Sequence, residues 1–121
     1  MKECLFCKII NNEIPSYTLY EDEIVKVFLD IDPKSNGHTL IIPKKHFLDL
    51  DDIDINVLKH ILEVAKKIKI KLEEKLNPTG IVLIQNNGSV QEIKHYHLHL
   101  IPVYNDKKID NIEDVYKKIS D

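Results

Sequence analysis

The chain has 121 residues, enough for one hydrophobic core and too few for two ordinary domains. Hydrophobic residues make up 43% and charged residues 31%, which argues against disorder; the net charge of -3 argues against a global basic field that would recruit nucleic acid or an anionic membrane. Every basic residue is Lys, so a bound phosphate must be met by Lys, His, backbone N–H groups or amide side chains, not by a guanidinium fork.

No apolar run approaches the ~20 residues of a membrane span. Met1-Lys2-Glu3-Cys4 lacks the basic and apolar regions of a secretory signal, so a reducing, cytoplasmic location is expected. Cys4 and Cys7 follow in C-x-x-C spacing. A cytoplasmic disulfide is not expected, and a thioredoxin-like pair would need a preceding strand. Half of a zinc site fits better, provided the chain supplies two more ligands.

Leu5 to Asn12 reads as a short helix or turn, with Phe6, Ile9 and Ile10 on one face. Ser16 to Tyr20 and Ile24 to Leu29 read as a hairpin around Glu21-Asp22-Glu23. Asp32 to Gly37 is a loop by its turn chemistry, and His38 to Ile42 is an apolar run suited to an inner strand. From Asn56 to about Leu76 the period changes. Val57, Leu58, Ile61, Leu62, Ala65, Ile68, Leu72 and Leu76 form one apolar stripe, and Asn77-Pro78 stops the helix. His60, on the edge of that stripe, reads as a surface residue. Gly80 to Gln85 is another strand, Asn86 to Ser89 a turn, and a short amphipathic helix carrying Ile109, Ile112, Val115, Tyr116 and Ile119 closes the chain. The sum is a single α+β domain: about five antiparallel strands, one long helix packed on one face and short terminal helices. A second subunit is the natural cover for the other face.

The run His95-Tyr96-His97-Leu98-His99-Leu100-Ile101 carries the chemistry. Period two puts His95, His97 and His99 on one face of a strand and turns Tyr96, Leu98 and Leu100 toward the core. Three adjacent imidazoles cost folding energy unless they are paired, metallated or catalytic. Neutral imidazole is a good nucleophile toward phosphorus, and two rings about 7 Å apart along a strand can address one phosphate. His38 could supply a third ring from the side. An H-x-H pair is also a style of zinc ligation, so a hydrolytic metal on the triad stays open.

The same run resembles the H-φ-H-φ-H-φ-φ signature of the histidine triad (HIT) superfamily. Cys4-Leu5-Phe6-Cys7, Glu13-Ile14-Pro15-Ser16, Phe28-Leu29-Asp30-Ile31, Gly37 to His46 and Gln85-Asn86-Asn87-Gly88 resemble its nucleoside-phosphoramidase branch in the same order. The resemblance covers about residues 4–103 and leaves 104–121 as a tail. It implies a nucleotide hydrolase or transferase, assembled as a homodimer whose sheets join. By that resemblance His97 is the nucleophile that becomes nucleotidylated, His99 meets the phosphate or leaving group, and His38 supports the other rings. Asp30 would take the ribose hydroxyls, Asn86 and Gln91 the phosphate side, and Leu5, Phe6, Ile9, Phe28, Ile31 and Leu40 the base. Cys4, Cys7, His46 and His95 would hold a structural zinc in a closed, neutral tetrahedral site. From the residues alone Asp30 reads equally as a loop carboxylate, Asn86 as a turn former and the apolar group as plain core.

One segment departs from the pattern. The stretch from Asn87 to Lys94 is about two residues short. Val90 stands where a Gly would let the backbone curl around phosphate, and Glu92 where a small hydroxyl residue would help. A carboxylate beside phosphate repels it, and Lys94 could partly compensate. A non-catalytic nucleotide-binding regulator on the same fold is therefore the competing reading.

Overall fold

Period-two alternation in the central strands sets a two-faced sheet. The computed structural model describes residues 4–120, so the signal-peptide reading of Met1 to Glu3 lies outside the described residues. The strands are β1 (Thr18–Glu21), β2 (Val25–Leu29), β3 (Thr39–Pro43), β4 (Gly80–Ile84) and β5 (Leu98–Val103). All pairings are antiparallel, in the order β1-β2-β3-β5-β4. Helices α1 (Leu5–Ile10), α2 (Ile55–Leu76) and α3 (Ile112–Ser120) complete the expected α+β fold. No described helix is long and apolar enough to cross a membrane.

Val25, Val27 and Leu29 of β2, Ile41 of β3, and Leu98 and Leu100 of β5 bury one face against Ile61, Val64, Ala65, Ile68 and Leu72 of α2. Val115 and Ile119 of α3 join that core. On the opposite face Phe28, Leu40 and Ile42 pack with Cys4, Phe6 and Ile9. The chain's own first helix therefore covers part of the face assigned above to a second subunit. Of the two edge strands, β1 and β4, the β4 edge pairs only with β5 and leaves Val82, Leu83 and Ile84 exposed.

Local chemistry explains the boundaries. The Asp54 carboxylate caps α2 by accepting from the Asn56 and Val57 N–H groups, and Asn77 ends it in the left-handed region at φ 51°. Leu62, placed on the stripe by its spacing, is 47% exposed. The triad strand starts only at Leu98. Before it the backbone bends and Tyr96 N–H donates to the Phe47 carbonyl at 2.7 Å, yet the in-out alternation persists. Asn111 Oδ1 accepts from the Glu113 and Asp114 N–H groups and starts α3 at Ile112, which leaves Ile109 outside and exposed. His60 is not a free surface residue. Its Nε2 lies 2.7 Å from Asp22 Oδ2, tying the β1–β2 turn to α2, while Asp22 also accepts from Tyr20, Ile24 and Val25.

Gly37, just before β3, sits at φ +88°, and a Cβ there would run into Leu76 Cδ1. Gly37→Ala is expected to destabilise the fold by about 2–4 kcal/mol, from backbone strain plus overpacking. Urea denaturation midpoints for the two proteins check this.

Candidate active site

The pairing register lines up Phe28 with Leu40, Leu40 with His99, and His99 with Ile84. These four residues make one row across β2, β3, β5 and β4, roughly 14 Å long at the usual strand spacing. All four line a cleft of about 370 Å³, within the range of small-ligand sites. Its β2 end is apolar, walled by Phe28 and Leu40 and by Leu5, Phe6 and Ile9 from α1.

A helix of six residues has little stability of its own, so α1 depends on its anchors. At its start Cys4 Sγ accepts from Cys7 N–H at 3.2 Å. At its end Lys26, only 3% exposed, donates from Nζ to the Ile9 carbonyl at 3.1 Å and to Asn12 Oδ1 at 3.4 Å. Between these anchors the Phe6 ring packs edge-on against Phe28, His95 and His97, at centroid distances of 5.7, 5.8 and 5.0 Å. Lys26 was not singled out by sequence. Its position in β2, alternating with Val25 and Val27, was the available signal.

The three alternating histidines meet three different partners. His97 Nδ1 lies 2.8 Å from the His95 carbonyl, which can only accept. The proton therefore sits on Nδ1 and the lone pair on Nε2. His38 Nδ1 accepts from Lys34 N–H at 3.0 Å, so its proton sits on Nε2. That Nε2–H donates to His99 Nδ1 at 2.9 Å, which leaves the proton of a neutral His99 on Nε2. Asp30 Oδ2 stands 3.6 Å from the same His38 nitrogen. Burial pushes His97 and His38 below the ordinary histidine range and His99 down to about 4. All three rings are thus neutral near pH 7.

His95 turns the other way. Its Nε2–H donates to the Pro43 carbonyl at 2.8 Å, leaving the Nδ1 lone pair facing Cys4 Sγ at 3.3 Å and Cys7 Sγ at 3.6 Å. His46 Nδ1 lies 3.3 Å from Cys7 Sγ. The four donor atoms fall within 4.8 Å of one another. Donors around a tetrahedral Zn–S/N centre stand roughly 3.3–3.8 Å apart, so Cys4, Cys7, His46 and His95 are positioned to bind a metal ion. Burial and the neighbouring Cys4 push the Cys7 thiol up to about 11, a cost that a bound cation would reverse by holding the thiolate. Asp30, His38 and His99 also cluster within that distance. There, however, the His38 nitrogen facing the group carries a proton because Lys34 N–H occupies the other, so His38 offers that group no lone pair.

The cleft brings together His38, His97, His99, Asp30, Asn86, Phe6, Ile9, Phe28 and Leu40. Ile31 lines it too, but as a rim residue 78% exposed. Gln91 is a correction: it is buried and donates from Nε2 to the Leu48 carbonyl at 2.6 Å, away from the cleft. The shortened turn, a 3₁₀ turn over Gly88–Val90, draws it inward. Lys94 does not compensate for Glu92, because its Nζ is held by the Gly88 carbonyl at 2.8 Å. Ile84, Ile93 and Ile101, which line the β4 side, were not foreseen as site residues.

Fold and site together define an α+β domain built around three alternating histidines that lead into β5. A family model described as the HIT domain matches residues 11–106, and the chain belongs to the histidine triad (HIT) family. A HIT-like protein of Methanocaldococcus jannaschii is 46% identical over 103 residues, covering 84% of this chain and 79% of that protein. An adenosine 5'-monophosphoramidase of Saccharomyces cerevisiae is 43% identical over 106 residues, covering 86% of this chain and 65% of that enzyme. A zinc-bound histidine triad family protein from Mycobacterium smegmatis has a crystal structure that superposes with a TM-score of 0.89 at 31% identity, covering 98% of this chain and 91% of that one. The family match begins after α1, so both cysteines lie outside it.

Elemental analysis of the purified chain is expected to find one tightly held metal ion per chain, lost in Cys4→Ser. Losing it should lower the melting temperature by ~5 °C or more, since metal binding is linked to folding. Equal melting of the two proteins would remove the tetrad from the account of stability.

Proposed function

We propose that the protein is a nucleotidyl hydrolase or transferase that cleaves purine nucleoside phosphoramidates through a covalent intermediate on His97. One observation carries this reading: the His97 Nδ1–H bond to the His95 carbonyl leaves an unprotonated Nε2 on a ring that lines the cleft. That lone pair forms a bond to the α-phosphorus while the P–N bond breaks; His99 Nε2–H donates a hydrogen bond to the departing group and keeps its proton, and the nitrogen takes its proton from water. The hydroxide left by that water attacks the phosphorus, breaks the bond to His97 Nε2 and releases the nucleotide with His97 restored. Asp30 accepts from the ribose hydroxyls, Asn86 donates to phosphate, and Phe6, Ile9, Phe28, Leu40 and the rim residue Ile31 sandwich the purine. Activity of this kind in the yeast relative supports the choice of leaving group.

Zinc is the ion proposed for the Cys4, Cys7, His46 and His95 tetrad. Two thiolates and two imidazoles with no open position suit a structural role. A nucleotide-binding regulator is the second reading, favoured by Glu92, a carboxylate lining the cleft where phosphate would sit.

Mass spectrometry of protein quenched during turnover of adenosine 5'-phosphoramidate should find the adduct on His97. His97→Ala should lose at least ~10³-fold in turnover while still binding AMP. Turnover that survives this substitution would sink the covalent route.

We also propose a homodimer that pairs two β4 edges, because an exposed apolar edge strand is otherwise an aggregation site. Val82, Leu83 and Ile84 present that edge, and Val103 of neighbouring β5 is 42% exposed. Leu83→Glu is expected to halve the mass measured by light scattering, and an unchanged mass would refute this interface.

A further inference from the structure

The row of paired residues gives the cleft a direction. Phe28 and Leu40 lie at its apolar β2 end, His99 in the middle and Ile84 on β4 beyond it. A nucleoside seated at the apolar end places its phosphate at the histidines, so the group attached to that phosphate extends toward β4. The lining includes Ile84 of β4 and, from the β4–β5 connection, Asn86 and Glu92.

Charge along the cleft is lopsided. Its lining holds three carboxylates, Asp30, Asp32 and Glu92, against one ammonium, Lys34. Lys34 belongs to the β2–β3 connection, and Glu92 to the β4–β5 connection at the opposite end of the sheet. Among the described residues Glu92 has no ion-pair partner. Lys94, two residues on, is committed to the Gly88 carbonyl. Glu92 is also exposed, so its carboxylate stays in contact with solvent.

We infer that Glu92 is a specificity-determining residue that selects a departing amine carrying a second, positively charged nitrogen over one that is neutral or anionic. The inference rests on the nucleotidyl-transfer reading of the same cleft. A nucleoside phosphoramidate monoester brings one negative charge to the histidines, whereas a polyphosphate would bring more and set them against Glu92. An ammonium on the departing arm meets Glu92 across a short, solvent-exposed gap. Such a pair is weak in water, so the selection is modest and salt-sensitive.

Three adenosine 5'-phosphoramidates identical up to the P–N bond make the test: N-(3-aminopropyl), N-propyl and N-(2-carboxyethyl). With the wild-type protein kcat/KM is expected to fall in that order, by about fivefold between neighbouring members and less in 0.5 M salt. Glu92→Gln should flatten the series and Glu92→Lys should invert it. The same ligands titrated calorimetrically into His97→Ala report the ranking without chemistry. A flat wild-type series, or one that both substitutions leave unchanged, overturns the role of Glu92 while turnover keeps the proposed function. A ranking seen in binding but with no turnover by the wild type keeps Glu92 and overturns catalysis. If none of the three is bound or turned over, both fall.

Discussion

Each imidazole near the cleft has one ring nitrogen committed to the protein, and that commitment decides what the other nitrogen can do. A backbone carbonyl takes the Nδ1 proton of His97, a backbone N–H takes the Nδ1 lone pair of His38, and a second carbonyl takes the Nε2 proton of His95. These are main-chain groups, fixed by the fold and insensitive to pH. Burial then removes the charged forms of the rings from competition. A free Nε2 lone pair in the cleft, a ring shared between two hydrogen bonds and an Nδ1 lone pair facing two thiols are thus three outcomes of a single residue type, separated only by what stands behind each ring.

The same hydrogen bonds join the metal centre to the cleft. The carbonyl that orients His97 belongs to His95, whose side chain faces the two cysteines. Along α1 the roles alternate as well: Cys4 and Cys7 face the tetrad, while Leu5, Phe6 and Ile9 form the cleft wall. Phe6 touches both histidines. Support for the wall and support for His97 therefore come from the same few atoms, and the buried Lys26 secures the far end of the helix.

Much of this was legible in the chain. The alternation around His97 worked because Tyr96, Leu98 and Leu100 are core residues, so hydrophobic burial alone decides which way the histidines point. The long helix and the four-residue metal set were equally readable, the first from its stripe and the second from the family resemblance. The β4–β5 connection was not. Gln91 was assigned to the phosphate by alignment, but a shortened turn with a positive-φ Gly88 rotates it inward, and no local pattern encodes that rotation. Lys26 and His60 were opaque for another reason. Each is held by a partner distant in sequence, the Ile9 carbonyl and Asp22, so neither can be placed before the elements meet.

The transverse row of Phe28, Leu40, His99 and Ile84 constrains how the molecule can evolve. Inserting or deleting a single residue in β5 would swap its faces, sending Leu100 into the cleft and an imidazole into the core. The strands are consequently closed to length variation, whereas the connection between β4 and β5 is bound by no such alternation. New chemistry can enter this scaffold at that connection without touching the machinery beneath.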